Sequence, residues 1–290
     1  MNDALTQTAV DLDVILTGTL PSPRPYVFRR EGANPLARTA AVLRPGVATI
    51  ELACVAYVIR HPDAGTILID TGFHGDARAR GVRHDFGTLM SLVFRTLAPA
   101  EQPFDAQLRG LGVDPATVER VVMTHLHVDH TSAMRLLPRA RFVCDRAEWA
   151  AATARGAFRD GYVARHLPAA ARMDLVDLAA TGEPHGPFER TIDLLGDGSV
   201  RLVATPGHTA GHLSVLVRRR SGGRALLIGD AVYTLRSIAE ERLPLMTADD
   251  ATYLRSLRAI KAFAASEPDA VLVPSHDPSA WRRLGGADES

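Results

Sequence analysis

Thr124-His125-Leu126-His127-Val128-Asp129-His130 packs imidazoles and a carboxylate into one short stretch, the donor set of a metal site. A chance H-x-H-x-D-H is expected on the order of once in a thousand chains of this composition, so the spacing is read as chemistry. On a helix, residues two apart do not share a face, whereas just beyond a strand they do. His125 and His127 can therefore point together at one ion. Asp129 and His130 are adjacent and need a turn that swings them to a different side. One short loop can thus supply two ligands to each of two neighbouring ions. Imidazole and carboxylate suit Zn²⁺, and also Fe or Mn. Each ion still needs a third histidine, and the pair a shared anion. His208 in Thr205-Pro206-Gly207-His208 and His276 in Ser275-His276 are the available histidines. Ile228-Gly229-Asp230 offers the carboxylate, with a glycine that lets the backbone approach closely.

Elements must bring these segments together. Apolar runs and alternation predict strands at 12–18, 47–59, 66–70, 121–123, 141–144, 199–204, 213–218, 224–229 and 270–274. Each candidate ligand follows one of them. Helices are expected at 104–111, at 114–119 with Asp114 as cap and Pro115 first, and at 131–137 and 146–155. Thr247 and Asp250 read as a capping box. They open a helix whose Tyr253, Leu254, Leu257, Ile260 and Phe263 form one apolar face. Residues 20–46, rich in proline and arginine, read as an extended arm rather than a regular element. Residues 74–100 read as irregular, then partly helical, with Leu89, Met90, Val93, Phe94 and Leu97 at helical spacing. Strands with interspersed helices in both halves predict a layered α/β fold of two similar parts.

Composition narrows the function. The chain has 290 residues with 33 Lys+Arg against 33 Asp+Glu, a net charge of zero. That balance argues against nucleic acid and against an anionic membrane as partners, and fits a neutral substrate. The two cysteines, Cys54 and Cys144, exclude a disulfide scaffold and a four-thiolate zinc site, and read as buried apolar fillers. The first residues lack a basic region followed by a long apolar core, so the expectation is a cytoplasmic protein.

The set His125-Leu-His-Val-Asp-His130, His208 in T-P-G-H-T-A-G-H, Asp230 in I-G-D, His276 in S-H-D and Ile69-Asp70-Thr71-Gly72 resembles the metallo-β-lactamase superfamily over residues ~45–280. The resemblance implies an αβ/βα four-layer sandwich with a dinuclear centre on one edge. The organisation expected is an N-terminal strand and arm at 1–46 and a hydrolase domain at 47–290, with an insertion at about 74–118. By motif, one metal takes His125, His127 and His208, the other takes Asp129, His130 and His276, and Asp230 bridges them. Asp70 would orient ligand histidines from behind. His212 reads as a supporting residue rather than a ligand.

Within the superfamily the pattern resembles the N-acyl homoserine lactone lactonases, which carry a Tyr three residues after the bridging Asp, as Asp230-Ala-Val-Tyr233 does here. That implies lactone opening by a metal-bridging hydroxide. Tyr233 would stabilise the oxyanion, and Asp129 would pass a proton to the leaving alkoxide. Phe73, Leu89, Met90 and Phe94 are candidates to line an acyl pocket, with core or a homodimer contact as their competing roles. Rival activities on the same centre are a phosphotriesterase or arylesterase and a glyoxalase II-like thioesterase. The thioesterases usually continue well past their last ligand, whereas this sequence has 14 residues after His276.

Overall fold

The computed structural model describes residues 8–30, 32, 34–75, 83, 86 and 97–285. Its strands are β1 (Asp11–Pro23), β2 (Thr49–His61), β3 (Gly65–Ile69), β4 (Ala98–Pro99), β5 (Arg120–Val122), β6 (Arg141–Asp145) and β7 (Met173–Val176), then β8 (Glu183–His185), β9 (Phe188–Asp193), β10 (Val200–Ala204), β11 (Leu213–Arg218), β12 (Arg224–Gly229) and β13 (Val271–Pro274). The first seven form one sheet in the order β4-β1-β2-β3-β5-β6-β7, and the rest form a second in the order β13-β12-β11-β10-β9-β8.

Strand parity explains how the sheets stack. On β2, Ala53, Val55, Tyr57 and Ile59 face the second sheet and pack against Leu202, Leu213, Val215 and Leu227. Ala56 and Val58 face the other way, against Phe104, Leu108 and Val121. Because both faces are buried, β2 reads as a continuous apolar run rather than a clean alternation. The second sheet repeats the scheme: Leu226 and Ile228 turn outward onto Tyr253, Leu257, Ile260 and Phe263 of the helix Asp250–Ser266. Helix, sheet, sheet and helix thus form four layers.

Strand polarity then places the chemistry. β3, β5 and β6 run parallel, as do β12 and β13. The chain leaves β3 at Asp70, β5 just before Thr124, β10 at Thr205, β12 at Asp230 and β13 at Ser275. The candidate ligands, with Asp70, therefore collect along one edge of the sandwich.

Several expectations need correction. Residues 20–46 are not simply an arm: β1 continues to Pro23, pairing with β2 as far as Pro23↔Thr49. A helix follows at Pro35–Leu43, with Asn34 capping the N–H of Ala37 at 2.8 Å. The helix Asp250–Ser266 is capped by Asp249, which accepts from the N–H of Thr252, and not by Thr247. Thr247 instead donates its hydroxyl to Asp250. The expected helix 131–137 is a helical turn at Val128–Thr131 followed by a 3₁₀ turn at Met134–Leu136. Strands β7, β8 and β9 were not foreseen. Of the segment 74–118, Phe104, Leu108, Val113 and Val118 belong to the core. Leu89, Met90, Val93 and Phe94 lie outside the described residues. Among the described residues, no helix is long and apolar enough to cross a membrane.

Candidate metal centre

Asp70 follows β3 with a positive φ of 58°, strain that short polar side chains tolerate better than most. Its carboxylate accepts the backbone N–H of Thr124 at 2.8 Å, the Thr124 hydroxyl at 2.8 Å and Nδ1 of His130 at 2.8 Å. The His130 carbonyl in turn accepts the N–H and the hydroxyl of Thr71. Backbone and ring are thereby fixed, and Nε2 of His130 turns to Asp230 Oδ1 at 3.4 Å and to Asp129 Oδ2 at 3.8 Å.

His276 is set the same way from the other sheet. Its Nδ1 donates to the Ala53 carbonyl at 2.7 Å, leaving Nε2 at 2.9 Å from Asp230 Oδ2 and 3.6 Å from Asp129 Oδ2. Asp129, His130, Asp230 and His276 thus each offer one ligand atom, all within 4.8 Å of one another. His125, His127 and His208 form a second group by the same measure. Asp230 Oδ2 stands 3.9 Å from His125 Nε2 and 3.6 Å from His208 Nε2, so one carboxylate touches both groups.

The donor set fits a pair of divalent cations. His125 Nε2, His208 Nδ1 and Asp230 Oδ1 are buried and, among the described residues, lack a hydrogen-bond partner. Unpaired buried polar atoms are costly unless something else satisfies them. Burial, reinforced by the neighbouring imidazoles, holds His125 and His208 well below the usual histidine range, leaving neutral lone pairs for a metal. Burial opposes charge on His130 and His276 as well, but Asp70 and Asp230 outweigh it for His130, as does Asp230 for His276, and both lie well above that range. Asp230 is held well below the carboxylate range by His276 and His130, against burial.

Tyr233 stands beside the carboxylate, its ring centroid 5.5 Å from His208 and 5.1 Å from His276. Burial, then the neighbouring Tyr26 and Asp230, push its phenol well above the usual range, so it keeps its proton at neutral pH. Beside it opens a cavity of about 210 Å³, lined by Leu20, Tyr26, Leu52, Val128 and Met246 over the ligand cluster, with Arg159, Asp160 and Gly161 also in its wall. Phe73 is not in that wall; it packs in the cluster that contains Leu20, Leu52 and Tyr233. A larger groove of about 650 Å³ at Arg218, Arg219 and Arg224 lies at the opposite end of the strands and holds none of the described candidate residues.

The remaining candidate, His212, lies behind Asp230, not among the ligand atoms. Sequence reasoning missed Tyr26 and Met246, whose approach to the site is purely tertiary. It also missed Glu148, a fully buried carboxylate beneath the His125–His127 loop, because an acidic residue in the first turn of a helix is ordinary.

Residues 49–276 match the model of the metallo-beta-lactamase superfamily. The chain belongs to that superfamily. Among superfamily relatives, the N-acyl homoserine lactonase AttM of Agrobacterium fabrum is 33% identical over 245 residues, covering 83% of this chain and 88% of the relative. A solved N-acyl homoserine lactone hydrolase, with N-hexanoyl-L-homoserine at its catalytic metal centre, superposes with a TM-score of 0.70 at 22% identity over 96% of each chain. The dizinc quorum-quenching lactonase AidC superposes with a TM-score of 0.62 at 13% identity, over 93% of this chain and 89% of its own. The two solved structures share the four-layer sandwich found here.

Proposed function

We propose that this protein is a metal-dependent hydrolase that opens the ring of N-acyl homoserine lactones, as the AttM relatives are named for doing. The observation that carries the reading is Asp230, one buried carboxylate shared by two ligand groups, with Tyr233 and an apolar cavity directly beside it. His125, His127 and His208 would hold one ion, and Asp129, His130 and His276 the other, with Asp230 common to both. The imidazole-rich set favours Zn²⁺, with Fe or Mn as substitutes. Two such ions supply a nucleophilic water at neutral pH and positive charge beside the ester oxygens.

The chain's own groups do the rest. Leu20, Leu52, Val128 and Met246 give the acyl tail an apolar wall and exclude bulk water. The Tyr233 hydroxyl donates to the lactone carbonyl oxygen, where negative charge develops. Asp129 takes the proton lost by the attacking water and returns it to the ring oxygen as the C–O bond breaks. The product is the open hydroxy acid. Cys54 and Cys144 are free, buried thiols, which fits a cytoplasmic enzyme.

A substrate panel on metal-loaded enzyme tests the reading: acyl homoserine lactones of several lengths, γ- and δ-lactones, a paraoxon-type triester, an aryl ester, S-lactoylglutathione and a β-lactam. The expected order puts an acyl homoserine lactone first, with activity lost on chelation and restored by Zn²⁺. Preference for the triester over every lactone overturns it.

A further inference from the structure

Glu148 is fully buried in the first turn of the helix Arg146–Thr153, and among the described residues it forms no ion pair. A carboxylate in that setting is costly unless every lone pair is used. Its oxygens collect donors from separate segments. Oε1 accepts the N–H of Leu126 at 2.9 Å and the Tyr162 hydroxyl at 3.1 Å, and Oε2 accepts the N–H of Gly211 at 3.2 Å.

Each donor belongs to a segment that places one histidine group. Leu126 sits between His125 and His127. Tyr162 packs its ring on His127 with centroids 5.0 Å apart, and its backbone bridges to that same residue. Gly211 closes the loop that carries His208, and a Cβ there would stand 2.2 Å from the Glu148 nitrogen, so the close approach requires glycine. The other ligand group is fixed from elsewhere, by Asp70 through His130 and by the Ala53 carbonyl through His276.

We infer that Glu148 is the positioning residue of the His125–His127–His208 group, a single buried anion that sets the spacing of its three imidazoles and adds negative charge beneath the ion they would hold. The inference rests on the metal assignment proposed above. Residues behind metal ligands change affinity by about 10- to 100-fold when replaced.

The test titrates metal-free protein with Zn²⁺ against a chromophoric chelator, and with Co²⁺ by its visible spectrum. Wild type is expected to take up two ions. Glu148→Gln is expected to fold, to bind one ion about 10- to 100-fold more weakly with an altered cobalt spectrum, and to keep the other near wild-type affinity. A folded Glu148→Gln that binds both ions as wild type does, or weakens both alike, overturns the inference. If Glu148→Gln does not fold, Tyr162→Phe removes one donor and leaves the carboxylate. It is expected to weaken the same single ion by several-fold, and an unchanged titration overturns the inference. Wild-type protein that binds fewer than two ions would instead overturn the metal assignment itself.

Discussion

Nε2 of His212 accepts the backbone N–H of Asp230 at 3.0 Å, so the residue that touches both ligand groups is held from behind by a ring that belongs to neither. That bond fixes the tautomer: Nδ1–H donates to the Thr205 hydroxyl at 3.0 Å. Thr205 then donates to Ser214, and Ser214 to the Ile228 carbonyl, back beside Asp230. Burial lowers the His212 pKa to about 3, which keeps the ring neutral and the chain of donors intact.

His212→Phe keeps the ring volume and removes both bonds. Leaving the buried Asp230 N–H unpaired should cost about 1–3 kcal/mol in denaturant unfolding. Metal affinity measured by chelator competition should fall by about 10- to 100-fold. Wild-type stability together with wild-type affinity would show that the chain from Asp230 to Ile228 has no structural weight.

Asp70 gives a graded test of the same kind, because it braces His130 directly and His125 through the Thr124 hydroxyl. Asp70→Ala strands the Thr124 N–H, the Thr124 hydroxyl and His130 Nδ1 at once. Asp70→Asn tolerates the 58° φ and still accepts with one oxygen. The expected order of metal affinity is wild type, then Asn, then Ala, with Ala lower than wild type by about 10- to 100-fold. Equal loss in both variants would mean that charge alone, and not the hydrogen-bond geometry, sets the His130 ring.

How much of this was legible beforehand depends on where the constraint lies. His125, His127, Asp129 and His130 are close in sequence because one strand end must present them, so local spacing exposes them. His208, Asp230 and His276 each follow a strand, and strand periodicity locates those ends. The cavity wall has no such signature. Tyr26 and Met246 share that wall through tertiary contacts, such as the N–H of Leu245 donating to the Tyr26 carbonyl at 2.7 Å, between segments far apart in the chain. The edge strand β8, Glu-Pro-His, is too polar and short to show a period. Thr247, Asp249 and Asp250 all suit a helix start, and only the backbone geometry selects Asp249.

Tyr233→Phe separates binding from chemistry. The ring still packs against His208 and His276, so two metals and the fold should be retained. The lost donor should lower kcat for the best lactone by roughly 10²-fold, with a smaller change in KM. Full kcat in the Phe variant would remove Tyr233 from the oxyanion role and leave it as wall.

The cavity wall has its own clasp, and it predicts a pH dependence. Both terminal guanidinium nitrogens of Arg29 donate to the Asp250 carboxylate, at 3.0 and 2.5 Å, while the Arg29 backbone N–H donates to the Leu243 carbonyl at 2.8 Å. The segment bearing Tyr26 is thereby tied to the one bearing Met246. Arg29→Met should raise KM several-fold with kcat little changed, because the wall loosens while the ligands stay. The Arg29 guanidinium, helped by the Thr247 hydroxyl and opposed by burial, holds the Asp250 carboxyl below its usual range. A depressed carboxylate stabilises the fold above its unfolded pKa, about 3.9, and that contribution vanishes as pH falls through the lowered folded value. The Asp250 side chain is 46% exposed, so the pair is worth no more than about 1 kcal/mol after screening. Urea unfolding should therefore separate wild type from Arg29→Met at pH 7, and by less at pH 3. A stability gap of the same size at both pH values would assign the effect of Arg29 to packing rather than to its ion pair with Asp250.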